Sequence, residues 1–159
     1  MVILRPAHSA DIPEMAALRA REWETEAYGT DRITNYLQGK QSPQQAEPER
    51  AAFAALDGTA LVGFVVGHRT RRLGGDAELQ GINVAKASRG KGIAQKLIGQ
   101  IGAWFAEQGA RHICVNVEPD NVAARSLYQR YGAQPFKSHW TVWEDSRAML
   151  PAVNEPRRG

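Results

Sequence analysis

Arg89-Gly90-Lys91-Gly92-Ile93-Ala94 sets two residues without side chains among cations, where a β-prone run gives way to a helical one. Glycines there let backbone N–H groups close on a ligand, and a helix N-terminus carries partial positive charge, so a phosphate is the natural guest. The spacing is not G-x-x-x-x-G-K-[ST], and Gln95 stands where a dinucleotide fingerprint needs a third small residue. Nucleotide triphosphatase chemistry is disfavoured, and the plain alternative is a basic surface turn that opens a helix. A second run, Asn121-Val-Ala-Ala-Arg125-Ser-Leu127-Tyr128-Gln-Arg130-Tyr131-Gly132-Ala133, carries two phenols. By spacing alone it is an amphipathic helix with its tyrosines in the core or at its rim.

The elements that must position these residues follow from periodicity and punctuation. Val2 to Leu4 is a short β-prone run stopped by Pro6, and Asp11 with Glu14 three residues later reads as a capping box. The helix that follows carries Met15, Leu18 and Trp23 and ends before Gly29; Asp31 to Leu37 reads as a second, shorter one. Gly39 to Glu49, with Pro43 and Pro48, reads as a loop or a loose helical turn. Ala51 to Leu56 and Ala60 to Gly67, joined at Asp57-Gly58, form a hairpin, and Gly74-Gly75 leads to a third strand from Ala77 to Val84. Ile93, Leu97, Ile101, Trp104 and Phe105 line one side of a helix stopped by Gly109. His112 to Val117 is a strand, Asp120 or Asn121 caps the helix ending at Gly132, and a β-rich stretch spans Pro135 to Trp143. The order predicts an α/β protein with a mixed sheet and helices on its faces. Ala77 to Val117 demands a right-handed parallel crossover.

A length of 159 residues accommodates one domain, here residues 1–150, with an aperiodic tail over 151–159 expected to be mobile. With 43% apolar and 23% charged residues, collagen-like, low-complexity and wholly disordered classes are excluded. The net charge of +3 suits an anionic ligand but lacks the dense basic stripe that duplex nucleic acid demands, so no nucleic-acid partner is expected. The single cysteine, Cys114, cannot form an internal disulfide and reads as a buried thiol; no Cys/His cluster has zinc spacing, so no metal is expected. A reducing cytoplasm follows as the expected location, and no stretch has the length of a membrane span.

Taken together, the two chemical runs resemble the GNAT superfamily of acyl-CoA-dependent N-acetyltransferases. Arg89-x-x-Gly92-x-Ala94 matches its pyrophosphate-loop pattern, Q/R-x-x-G-x-G/A, and Asn121, Ala124, Leu127, Tyr128 and Gly132-Ala133 match N-x-x-A-x-x-L-Y followed by G-F or G-A. The opening Leu4-Arg5-Pro6-Ala7 with Asp11 is also similar, so the resemblance covers about Leu4 to Trp143. It implies a GNAT-like fold whose central strands splay to admit the pantetheine of acetyl-CoA, with the pyrophosphate on Arg89, Gly90, Lys91, Gly92, Ile93 and Ala94. Backbone near Ile82 to Val84 would pair with the pantetheine, Asn121 would help hold the cosubstrate, and Tyr128 would stand near the thioester sulfur to protonate or stabilise the departing thiolate.

An acceptor amine is mostly protonated at neutral pH and needs a base. Glu78 is the candidate: it precedes Val84 by six residues, roughly 20 Å of strand, which places it at the acetyl end of an extended pantetheine. A salt-bridged strand carboxylate is the alternative. His68, His112 and His139 are weaker candidates, since none falls on a matched position, and His8 is expected to be exposed. Arg69, Arg71 and Arg72 read as a charged hairpin tip, with a partner contact left open. Glu22-Trp23-Glu24-Thr25-Glu26-Ala27-Tyr28 is either a cation-binding border of the acceptor site or an ordinary charged helix face. The reading is direct acetyl transfer to a primary amine of a small molecule or protein; the rival is a non-catalytic acyl-CoA-binding module of the same fold. Oligomeric state stays open, a homodimer included.

Overall fold

The computed structural model describes residues 1–20 and 26–150, apart from the side chains of 26–28. Trp23 with its acidic neighbours, and the tail from Pro151, lie outside the described residues. The Asp57-Gly58 signal becomes a two-residue hairpin joining β2 (Ala46–Asp57) to β3 (Ala60–Thr70), with Gly58 at φ +64° and Asp57 opposite Ala60. β1 (Val2–Pro6) pairs antiparallel with β2, and β4 (Ala77–Val84) antiparallel with β3. Helix α3 (Ile93–Glu107) then crosses over to β5 (Ile113–Asn116), parallel to β4. After α4 (Val122–Arg130) come β6 (Gln134–Lys137) and β7 (Trp140–Trp143), and β7 inserts between β5 and β6. The result is a seven-stranded mixed sheet of order β1-β2-β3-β4-β5-β7-β6.

Several expected boundaries move. The stretch read as a loop over Gly39 to Glu49 already contains the start of β2: Ala46 pairs with Thr70, and the register shifts before Arg50, leaving Pro48 in the irregular stretch where no ladder donor is needed. Gly29 stops no helix. It is buried inside α2 (Glu26–Leu37), which follows α1 (Ile12–Ala20), because a small residue lets packing override its poor intrinsic propensity. Asp11 closes a short 3₁₀ turn instead of opening a capping box with Glu14: its carboxylate accepts the His8 N–H at 2.7 Å and holds Arg5 Nη1 and Nη2 at 2.7 and 3.0 Å. Those bonds keep the Asp11 carboxyl below its usual range. His8 is exposed, as expected. The last β-rich stretch divides at Ser138-His139 into β6 and β7.

Two cores cover the two faces. On one, Ile93, Leu97, Ile101 and Phe105 of α3 pack against Val65 and Leu79; on the other, Met15, Ile33 and Tyr36 of α1 and α2 pack against Phe64 and Val66. Alternation along β3 assigns its residues to the two faces. At Gly67 the helix comes close: a Cβ there would stand 2.9 Å from Phe105 Cζ and 3.0 Å from the Glu78 carbonyl. Gly67→Ala should therefore destabilise the fold by about 1–3 kcal/mol, the usual cost of overpacking. Urea denaturation checks this; an unchanged midpoint would mean that α3 recedes freely.

Candidate active site

β4 and β5 are paired at Ala77–Ile113 and Glu78–Cys114 and nowhere beyond. Opposite β3, Gly81 faces Val66 while Leu79 faces Gly67, so Gln80 is the extra residue of a β-bulge that bends β4 away from its neighbour. The strands thus open as a fork. From Leu79 onward the β5-side edge of β4 has no strand partner, and a cleft of about 590 Å³ lies between the arms. Ile82, Val84, Arg89 and Ala94 line one side of it, and Asn121 and Tyr128 the other.

At its mouth, Gly90 and Gly92 both have φ +80°, which side chains adopt only with strain, and nothing lies within 4 Å of where their Cβ atoms would be. Gly92 is the N-cap of α3, and its carbonyl accepts the Lys96 N–H, so the first N–H groups of that helix belong to this turn. Lys91 is exposed, whereas Ile93 turns its side chain into the core. Arg89 folds back so that Nε donates to the Val84 carbonyl at 3.1 Å. An edge strand, a two-glycine turn and a helix N-terminus along one open cleft suit an extended chain ending in a pyrophosphate. Asn121 Oδ1 accepts the Ala124 N–H at 3.1 Å, capping α4 while also lining the cleft. Tyr128 is buried edge-on against Trp143, with ring centroids 5.6 Å apart. Burial pushes its phenol up to about 12, so at neutral pH it carries a proton to donate.

Glu78 does not line the cleft. It sits at the closed end of the fork, 3% exposed, with Oε1 at 3.3 Å from His68 Nε2 and 3.5 Å from Arg72 Nη1. Arg72 in turn lies over the Trp140 ring, 5.0 Å from its centroid. On the far side of His68, the Tyr36 hydroxyl stands 2.8 Å from Nδ1. Burial pushes the Tyr36 phenol well above its usual range, so it keeps its proton; with that proton donated to Nδ1, a neutral ring carries its own on Nε2, facing Glu78. The charged-tip reading holds for Arg71, which is exposed in the β3–β4 connection and pairs with Glu47 at 3.0 Å, and is corrected for Arg72, which turns inward; Arg69 pairs with Glu47 at 3.6 Å. His112 and His139 line neither this cleft nor the pocket beside it.

That pocket, of about 460 Å³, lies on the α1/α2 side of the sheet and meets the cleft at Arg19 and Gln80. Tyr36, Arg32, Ser42 and Phe64 line it. Sequence reading passed over Tyr36, Gln80, Arg19 and Arg32, none of which lies in a recognisable run. His68 did carry a signal: it is the polar member of the alternating face Phe64, Val66, His68, where burial must be met by a partner.

The sequence model of the Acetyltransferase (GNAT) family matches residues 13–133. The chain belongs to that family. The acetyltransferase is 27% identical over 133 residues to an aminoglycoside N(6')-acetyltransferase type 1 from Acinetobacter haemolyticus, covering 82% of this chain and 90% of that one. Its fold superposes on the aminoglycoside antibiotic 6'-N-acetyltransferase structure from the same organism with TM-score 0.71 at 21% identity, covering 85% and 92% of the two chains. It also superposes on the PaiA N-acetyltransferase of Thermoplasma acidophilum in complex with coenzyme A, TM-score 0.64 at 16% identity, covering 89% and 97%. The acetyltransferase is acyl-CoA dependent, with acetyl-CoA as cosubstrate. No helix among the described residues is long and apolar enough to cross a membrane.

Because Gly92 is held in the left-handed region where a β-branched residue is strained by ~1–3 kcal/mol, Gly92→Val should weaken acetyl-CoA binding about tenfold or more while the protein stays folded. Calorimetry on the folded variant checks it. Unchanged affinity would remove this turn from the pyrophosphate site.

Proposed function

We propose that residues 1–150 act as one domain that transfers the acetyl group of acetyl-CoA directly to a primary amine, without an acyl-enzyme intermediate. The observation that carries this is the position of Tyr128, a buried, protonated phenol in the wall of the forked cleft. A module that only bound acyl-CoA would not need a proton donor there. The pyrophosphate would sit on the backbone from Arg89 to Ala94, and the pantetheine along β4 near Ile82 and Val84. Asn121 would steady it from the α4 side. As the neutral amine attacks the thioester carbonyl, the C–N bond forms, the C–S bond breaks and the leaving sulfur takes or shares the Tyr128 proton, while the proton that the nitrogen sheds on becoming an amide restores the phenol.

The acceptor's own proton needs an exit, and Glu78 is its proposed destination. Since the carboxylate is sealed from the cleft, the path that supports this role runs through the pocket. Tyr36 would take the amine proton as its own passes to His68 Nδ1, and the Nε2 proton would move to Glu78 Oε1. Each group gives up one proton for the one it receives, and Glu78 ends neutral. His68 Nε2 and Glu78 Oε1 are buried and have no aligned hydrogen-bond partner, although they face one another at 3.3 Å. Buried polar atoms without an aligned partner cost stability, and a catalytic role is one reason for a protein to keep them.

Tyr128→Phe keeps the ring and its contact with Trp143, so turnover should fall on the order of 10²-fold with cosubstrate affinity nearly constant. Where chemistry limits the rate, an unchanged kcat would pass the donor role to water. Glu78→Gln should lower kcat on the order of 10²-fold if proton removal limits turnover, and flatten the rise of rate with pH. A rise confined to KM would make it a charge that attracts the acceptor, and no change in either constant would leave it a structural ion pair.

A further inference from the structure

The pocket beside the cleft has a chemical bias of its own. Among its described lining residues are two arginines, Arg19 and Arg32, the neutral polar groups Gln41, Ser42 and Gln80, and no carboxylate. A third arginine stands behind the wall: Arg50 donates from Nη2 to Ser42 Oγ at 2.8 Å, and its guanidinium lies 4.7 Å from the centroid of the Tyr36 ring. Its Nε and Nη1 are buried without a hydrogen-bond partner. Arg19 reaches the junction with the cleft, since a Cβ on Gly81 would lie 3.9 Å from its Nη1. Arg19 and Arg32 are each engaged within the protein, but a guanidinium has five N–H donors and can hold a neighbour and a ligand oxygen together. Gln80, also at the junction, has its Oε1 buried without a partner. An acceptor N–H would satisfy that oxygen where the nucleophile must enter to meet the thioester.

From an amine-accepting oxygen at the junction and guanidinium groups around the rest of the pocket, we infer that the acceptor is a small primary amine that also carries an anionic group, a carboxylate or a phosphate. The inference rests on the acetyl-transfer reading and names the substrate class of that same site. A cavity of about 460 Å³ is the size for a small molecule.

The test follows free thiol released from acetyl-CoA with paired amines of similar basicity. Glycine and leucine are set beside ethanolamine and leucinol, O-phosphoethanolamine is added, and spermidine and kanamycin stand for polycations. A charge-assisted hydrogen bond to a guanidinium should raise kcat/KM for the anionic members about tenfold or more over the amino alcohols. Whether the amino acids or O-phosphoethanolamine lead separates carboxylate from phosphate. Arg32 is exposed, so Arg32→Gln should fold; it should bring the ratio towards one, Arg32→Lys should restore part of it, and acetyl-CoA affinity measured by calorimetry should hold. Equal or faster turnover of amino alcohols, spermidine or kanamycin would overturn the inference. So would an unaltered ratio in both Arg32→Gln and Arg19→Gln. If acetyl-CoA binds but none of these amines releases thiol, the inference of a small anionic amine falls, and thiol release with a peptide amine as acceptor would show that the acetyl-transfer reading stands without it.

Discussion

The parting of β4 from β5 after two residue pairs is the constraint on which the rest of the molecule depends. A continuous parallel sheet would satisfy every edge group within the protein and leave nothing to offer an extended ligand. Here the bulge at Gln80 and the brevity of β5 stop the ladder at Glu78–Cys114. The β4 edge is left unpaired but sheltered between the arms, where a pantetheine-like chain can supply the missing partner while another protein's strand cannot easily reach. The same opening sets the distance between the glycine turn and the closed end, and so the length of cosubstrate the cleft can take.

A fork needs something to keep its base closed, and here that base is polar. Glu78, His68 and Arg72 meet behind the last paired residues, and Arg72 extends the group to Trp140 on β7, across β5. Removing the Glu78 and Arg72 charges from water costs several kcal/mol per ion, and their mutual attraction recovers it only with good geometry. An apolar plug would hold the strands at lower cost. The polar plug has what an apolar one lacks, a connection through Tyr36 to the neighbouring pocket, so the element that joins the arms of the sheet can also take part in chemistry.

How much of this was legible beforehand differs by element. The hairpin at Asp57-Gly58, the α3 stripe and the crossover to β5 were readable because turn chemistry and periodicity are local. Arg89, Ala94, Asn121 and Tyr128, which line the cleft, lie in two compact runs and were visible as candidates for the same reason. The start of β2 at Ala46 and the buried Gly29 within α2 were not, since in both tertiary pairing overrides a local breaker. The pocket was the least visible: Arg19, Arg32, Tyr36 and Gln80 come from three elements and meet only once α1 and α2 are laid across β3 and β4. Arg72 was misread for a related reason, since composition shows a run of cations but cannot show which one turns inward.

Cys114 closes the fork opposite Glu78 and is the only thiol in the chain. Burial, reinforced by the Glu78 charge, pushes it up to about 12, so at neutral pH it is held as the thiol. A thiolate opposite Glu78, at the closed end of the fork, could otherwise exchange with a thioester and trap the acyl group as a dead-end protein thioester. Held as a buried, neutral thiol within the last sheet pair, it is a poor nucleophile toward a thioester bound in the cleft.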